Sequence, residues 1–160
     1  MKKFNVAGFS FGITSGIITT LGLLVGLYEG THSYLAVIGG ILTIAIADAF
    51  SDALGMHVSV ESQLCKKGDI WGSTFSTFAA KFLVALTFAV PIFFMSLQNA
   101  VMVDVFWGMA LLCTLSYMIA RKEREKPMRV VAEHLAIGLV VIIIAYFVGI
   151  WIANTFGNLA

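Results

Sequence analysis

Two aspartates, Asp48 and Asp52, stand four residues apart in the run ILTIAIADAFSDALGMHVSVESQ, Ile41 to Gln63, which is otherwise apolar enough to cross a membrane. That spacing places them on one helical face, one turn apart, and Met56 continues the same face one turn further on. Carboxylates inside a bilayer mark an ion path, a proton relay or a buried ion pair. Two carboxylates with a thioether offer a divalent cation hard oxygens and one softer ligand, a set that suits Fe²⁺ or Mn²⁺ better than Cu⁺. Carboxyl groups in low-dielectric surroundings can also exchange protons near neutral pH. Gly55 and Ser59 extend the face, whereas His57 points almost opposite Asp48 and is a poor candidate for the same site.

A buried ion pair has a named partner. Lys81 lies about nine residues into the third apolar run and Asp52 about eleven before the end of the second. At about 1.5 Å per residue the two depths are similar, so an Asp52–Lys81 salt bridge is expected. Asp48 is deeper and has no evident cationic partner. Glu133 enters the fifth run from the same side at a shallower depth, with His134 beside it, and joins Lys81 as a candidate ion-pair or gating group.

The elements that must position these groups follow from composition. Of 160 residues, 59% are hydrophobic and only 12% charged, with mean hydropathy +0.95, so the bilayer is the expected solvent. Apolar runs fall near 6–27, 34–63, 72–97, 101–120 and 128–155, each close to the roughly 20 residues a spanning helix needs. They predict an all-α, single-domain membrane protein of five transmembrane helices. The runs are too long and too little alternating for a membrane barrel. Pro91 should kink the third helix, and Pro127 suits the first turn of the fifth. The first run enters the membrane without a small-residue cleavage site, which reads as a retained helix.

Lys2, Lys3, Lys66, Lys67 and the Arg121–Arg129 cluster flank one side, and the opposite loops carry no Lys or Arg. By the positive-inside rule the N-terminus is expected in the cytosol and the C-terminus outside. Gly8, Gly12, Ser15, Thr19, Gly22 and Gly26 form a stripe of small residues along the first helix. Such a stripe permits close helix packing, and it could line a path or a symmetric dimer seam. A net charge of +1 points to no nucleic-acid partner, and Cys65 and Cys113 are isolated thiols. No nucleophile–base pair or cofactor motif argues for an enzyme.

GIITTLGLLVGL, Gly16 to Leu27, together with ADAFSDALGMHVSVESQ, Ala47 to Gln63, resembles the vacuolar iron transporter family. The second-helix motif carries most of the likeness, through Ala47, Ala49, Ser51, Ala53, Gly55, Val58, Ser59, Val60, Ser62 and Gln63. Pro91 also matches, as do Tyr146 and Gly149 in the last span, so the resemblance covers nearly the whole chain. It implies a five-helix homodimer that moves Fe²⁺ or Mn²⁺ out of the cytosol in exchange for protons, with no permanently bound cofactor. A cell membrane is expected, or a vacuolar one in a eukaryote.

The ligand pattern departs from the family's. Ser15 stands where the family has a first-helix aspartate, Asp52 where it has methionine, Met56 where it has glutamate and Asp48 where it has glycine. Asp48, Asp52 and Met56 are then the expected metal ligands, with Ser15 and Thr19 facing them. The cytoplasmic metal-capturing insert of some members is reduced to a linker of about eight residues near Lys66 to Ser73, and its lysines would repel cations. Two alternatives stand beside a metal exporter: a transport-inactive structural or regulatory protein of the same fold, and a transporter of another solute.

Overall fold

The computed structural model describes residues 3–157; Lys2 and the C-terminal residues 158–160, which bear on the expected orientation, lie outside the described residues. All of its elements are helical. They are α1 (Lys3–Thr31), α2 (Tyr34–Thr43), a π-helical turn (Ile44–Asp48), α3 (Ala49–Glu61), α4 (Lys67–Thr87), α5 (Ala89–Phe94), α6 (Leu97–Glu123) and α7 (Pro127–Phe156). They combine into five stretches long and apolar enough to cross a membrane: Asn5–Thr31, Tyr34–Glu61, Lys67–Phe94, Leu97–Glu123 and Pro127–Phe156. The fold is that of a multi-pass membrane protein. Large apolar side chains such as Leu139, Val140, Ile144 and Phe147 of α7 stand exposed because hydrocarbon, not water, is the solvent they suit.

Several helix ends lie outside the apolar runs, while the second and third spans stop short of them, at Glu61 and Phe94. The third span begins at Lys67 instead of near residue 72, because Asp69 favours a first helical turn and Ile70 and Ser73 are already buried. The fourth begins at Leu97, so Gln98 and Asn99 are helical and the break falls at Met95–Ser96. Pro91 acts as expected. It cannot donate to the carbonyl four residues earlier, at Thr87, and α4 stops there before α5 resumes at Ala89. Arg124, at φ 60°, closes α6 in the left-handed region, and Pro127 opens α7 at its first turn.

α1 is the central helix. Ile17, Leu21 and Leu24 are fully buried among Val37, Ile41, Phe88, Ile92 and Leu112 from the surrounding spans. Its glycines set how close the neighbours come. A Cβ at Gly8 or Gly12 would stand 2.5 Å from the carbonyl oxygen of Ser73 or Thr77. Gly22 and Gly26 instead meet Val141 and Ala145 of α7. The glycines of the small-residue stripe are therefore spent on packing within the chain, against α4 in one half and α7 in the other.

Candidate functional site

The row Gly8, Gly12, Gly16 runs beside the row Ser73, Thr77, Lys81, both at four-residue spacing. At Gly16 the neighbour is the Lys81 stem and backbone, 3.3–3.4 Å from where a Cβ would be. α1 thus presses on Lys81 and leaves its side chain fully buried.

Its ammonium is nonetheless well partnered. Lys81 Nζ lies 2.5 Å from Asp48 Oδ2, 2.5 Å from Asp52 Oδ2 and 3.0 Å from Ser15 Oγ. The Ser15 hydroxyl donates in turn to Asp52 Oδ2 at 2.5 Å. The ammonium thus donates hydrogen bonds to Asp52 and Ser15 and is ion-paired with Asp48. The carboxylates are more open than the lysine: the Asp48 side chain is 35% exposed and that of Asp52 20%. The cluster is enclosed on its lysine side and accessible on its carboxylate side.

The expected Asp52–Lys81 pair is present, but the expectation that Asp48 lacks a cationic partner is overturned. Two local features explain why. With α4 starting at Lys67, Lys81 lies fourteen residues into its span, level with Asp48, which is thirteen residues before the end of α3. The π-helical turn also ends at Asp48. There the Ala49 N–H bonds back to the Ile44 carbonyl, five residues earlier, which resets the face of the helix just before the two aspartates. Single π turns inside α-helices are common at functional sites.

The other candidates are distributed differently. Thr19 donates its hydroxyl to the Ser15 carbonyl oxygen at 2.8 Å, a bond within its own helix. Met56 is half-buried one turn from Asp52, outside the hydrogen-bonded cluster. Glu133 does not reach Lys81; it pairs with Arg129 at 2.9 Å on the exposed start of α7. His134 meets Ser116 at 2.7 Å. His57, facing away from Asp48 as expected, bonds Thr74 at 2.9 Å and sits edge-on to Trp71. It lines an apolar groove of about 440 Å³ between α3 and α4 with Phe50, Phe75 and Phe78.

Sequence reasoning missed one intramembrane carboxyl. Asp104, in α6, is fully buried, and neither of its oxygens has a hydrogen-bond partner. The rule that singled out Asp48 and Asp52 applies equally to this lone aspartate within an apolar run.

Among the described residues no group of three or more His, Cys, Asp or Glu side chains is arranged to hold a metal ion. The Asp48 and Asp52 oxygens do converge on one point, which the Lys81 ammonium occupies. No family model and no curated protein sequence matches the chain.

Proposed function

We propose that the chain exports a divalent transition-metal cation, Fe²⁺ or Mn²⁺, from the cytosol in exchange for protons. In this reading Lys81 is a tethered cation that holds the site when substrate is absent. The supporting observation is that Asp48 and Asp52 converge on one buried ammonium while both remain partly exposed. Two carboxylates against one ammonium leave a surplus negative charge, which is expensive inside a bilayer. One proton balances it with Lys81 in place. A divalent cation balances both carboxylates only after the ammonium has withdrawn or lost its charge. Proton-loaded and metal-loaded states then exclude each other, as exchange requires.

Lys81 has the flexible stem such a withdrawal needs. Ser15 supplies a neutral oxygen once the lysine leaves, Thr19 a second hydroxyl nearby, and Met56 a softer ligand toward the basic end. With that end in the cytosol by the positive-inside rule, substrate approaches past Met56. A homodimer in the cell membrane and a vacuolar-iron-transporter-like activity fit the motif of the second span.

The three partners around Lys81 favour a second reading, a fixed cluster in a transport-inactive protein. Proteoliposomes with an internal pH dye, offered Fe²⁺, Mn²⁺, Co²⁺, Zn²⁺ or Ca²⁺, separate the two. Fe²⁺ or Mn²⁺ should drive proton movement, and Asp48→Asn and Asp52→Asn should each abolish it. Normal transport in both variants would remove the cluster from the path, and no transport by the unmodified protein would favour the fixed-cluster reading. Crosslinking in the same vesicles reports whether the chain pairs.

A further inference from the structure

Among the described residues, Asp104 is a fully buried carboxyl with neither oxygen hydrogen-bonded. Buried polar groups are almost always hydrogen-bonded, and each exception calls for an explanation. Thr20 on α1 is a second exception, fully buried with its hydroxyl unpartnered.

α1 serves as a ruler for their depths. A Cβ at Gly108 would meet the Leu21 side chain, which fixes α6 against α1 at that level. Successive spans alternate in direction, so Asp104, one turn before Gly108, lies one turn further toward the non-basic end, near the level of Val25. Ser15, at the Lys81 cluster, is ten residues away along α1, or about 15 Å. Thr20 falls midway. Two unpartnered polar groups thus stand at successive levels between the ion cluster and the non-basic face.

Among the described residues no charge compensates Asp104. The elements packed on α6 are chiefly α1, α5 and α7; α4 touches it through the Trp107–Thr87 hydrogen bond, and the titratable groups of α4, Lys67, Asp69 and Lys81, lie toward the basic end, Lys81 in the ion cluster. α5 has no titratable residue. In α1, Lys3 stands at the far end, and Tyr28 and Glu29 lie toward the non-basic end; the Tyr28 ring stacks on His32. In α7, Arg129 and Glu133 pair with each other, His134 bonds Ser116, and Tyr146 is an exposed ring against Phe147. None hydrogen-bonds to Asp104. An ionised carboxylate without donor or cation is costly in such a place.

We infer that Asp104 is a proton-binding site, loaded by water from the non-basic side, from which protons pass the Thr20 level to the Lys81 cluster. The inference rests on the proton-coupled reading above. The step balances simply. The Asp104 O–H bond breaks as water hydrogen-bonded to Thr20 carries the proton to an Asp52 or Asp48 oxygen, and hydronium from the non-basic side restores it.

The test uses the full chain in vesicles and the apolar reagent dicyclohexylcarbodiimide, which attacks protonated carboxyls in apolar surroundings, with adducts mapped by mass spectrometry. An adduct on Asp104 is expected, its rate falling when the solution on the non-basic side is made alkaline. Asp104→Asn should lose both the adduct and metal-driven proton movement while still binding Mn²⁺, and Asp104→Glu should restore them. Thr20→Val should slow proton movement and leave the adduct unchanged.

If Asp104→Asn moves protons at the unmodified rate while Asp52→Asn does not, the exporter reading stands and this inference falls. If the unmodified protein moves no protons, the exporter reading falls, and the side-dependence of the adduct decides Asp104 alone. An adduct indifferent to pH on both sides overturns the inference. Should Asp104→Asn fail to fold, Thr20→Val decides: slowed proton movement supports the inference, and an unchanged rate overturns it.

Discussion

The two ends of α1 face intramembrane carboxyls treated in opposite ways. Toward the basic end, Asp48 and Asp52 are both ion-paired with Lys81, and Asp52 accepts hydrogen bonds from Lys81 and Ser15. Toward the other end, Asp104 is more deeply buried and has nothing. The first arrangement stabilises charge and the second disfavours it. Identical side chains in one bundle therefore meet opposite surroundings, because partners, and not residue type, decide what a carboxylate costs in low dielectric. A molecule that must hold a cation and also hand over a proton has use for both.

The largest effect should come from removing the cation of the first region. Lys81→Met leaves two carboxylates facing each other without compensation, and breaking a buried pair in this way costs about 3–5 kcal/mol. Thermal unfolding in detergent should show it. Because Asp48 and Asp52 share the ammonium, Asp48→Asn and Asp52→Asn should each cost less than Lys81→Met, and the triple change should recover most of the loss. If either single Asn variant costs as much as Lys81→Met, the sharing is wrong and one aspartate carries the pair.

A smaller effect distinguishes the packing at the two ends. At Gly12 a Cβ would stand 2.5 Å from the backbone oxygen of Thr77, which cannot move without shifting α4. Gly12→Ala should cost about 1–3 kcal/mol, the range for overpacking. At Gly26 the nearest atom is an Ala145 oxygen at 3.6 Å, an ordinary contact. Gly26→Ala should be neutral or stabilising by up to about 1 kcal/mol, since alanine is the better helix former. Equal losses in the two variants would mean that α7 presses on Gly26 as tightly as α4 presses on Gly12.

Much of this was legible in residue order alone. Five long apolar runs, Pro91 and the shared depth of Asp52 and Lys81 lead to five spans, a break in the third and an ion pair. The pairing of Asp48 was hidden for a geometric reason. Hydropathy starts the third span after the lysines, whereas the helix starts at Lys67, and those residues shift Lys81 to the depth of Asp48. The π turn leaves no signature in ILTIAIAD, which reads as uninterrupted helix. Asp104 was readable as an aspartate in an apolar run, but its isolation was not, because a missing partner is a property of three packed helices and not of a sequence spacing.

The smallest effect tests the comparison most directly. Leucine has the branching of aspartate, with methyls in place of oxygens. At Asp104 the exchange removes a buried, unpartnered polar group, a relief of about 1–3 kcal/mol. Two methyls in a fully buried position add bulk that costs a comparable 1–3 kcal/mol, roughly. Asp104→Leu should therefore melt close to the unmodified protein. Asp52→Leu, the same exchange in the other region, takes away an acceptor used by both Lys81 and Ser15 and should melt clearly lower. The contrast comes from the surroundings, because the atoms exchanged are identical. A large loss in Asp104→Leu would show that this carboxyl is held by ordered water, and the two regions would then differ only in what supplies their hydrogen bonds.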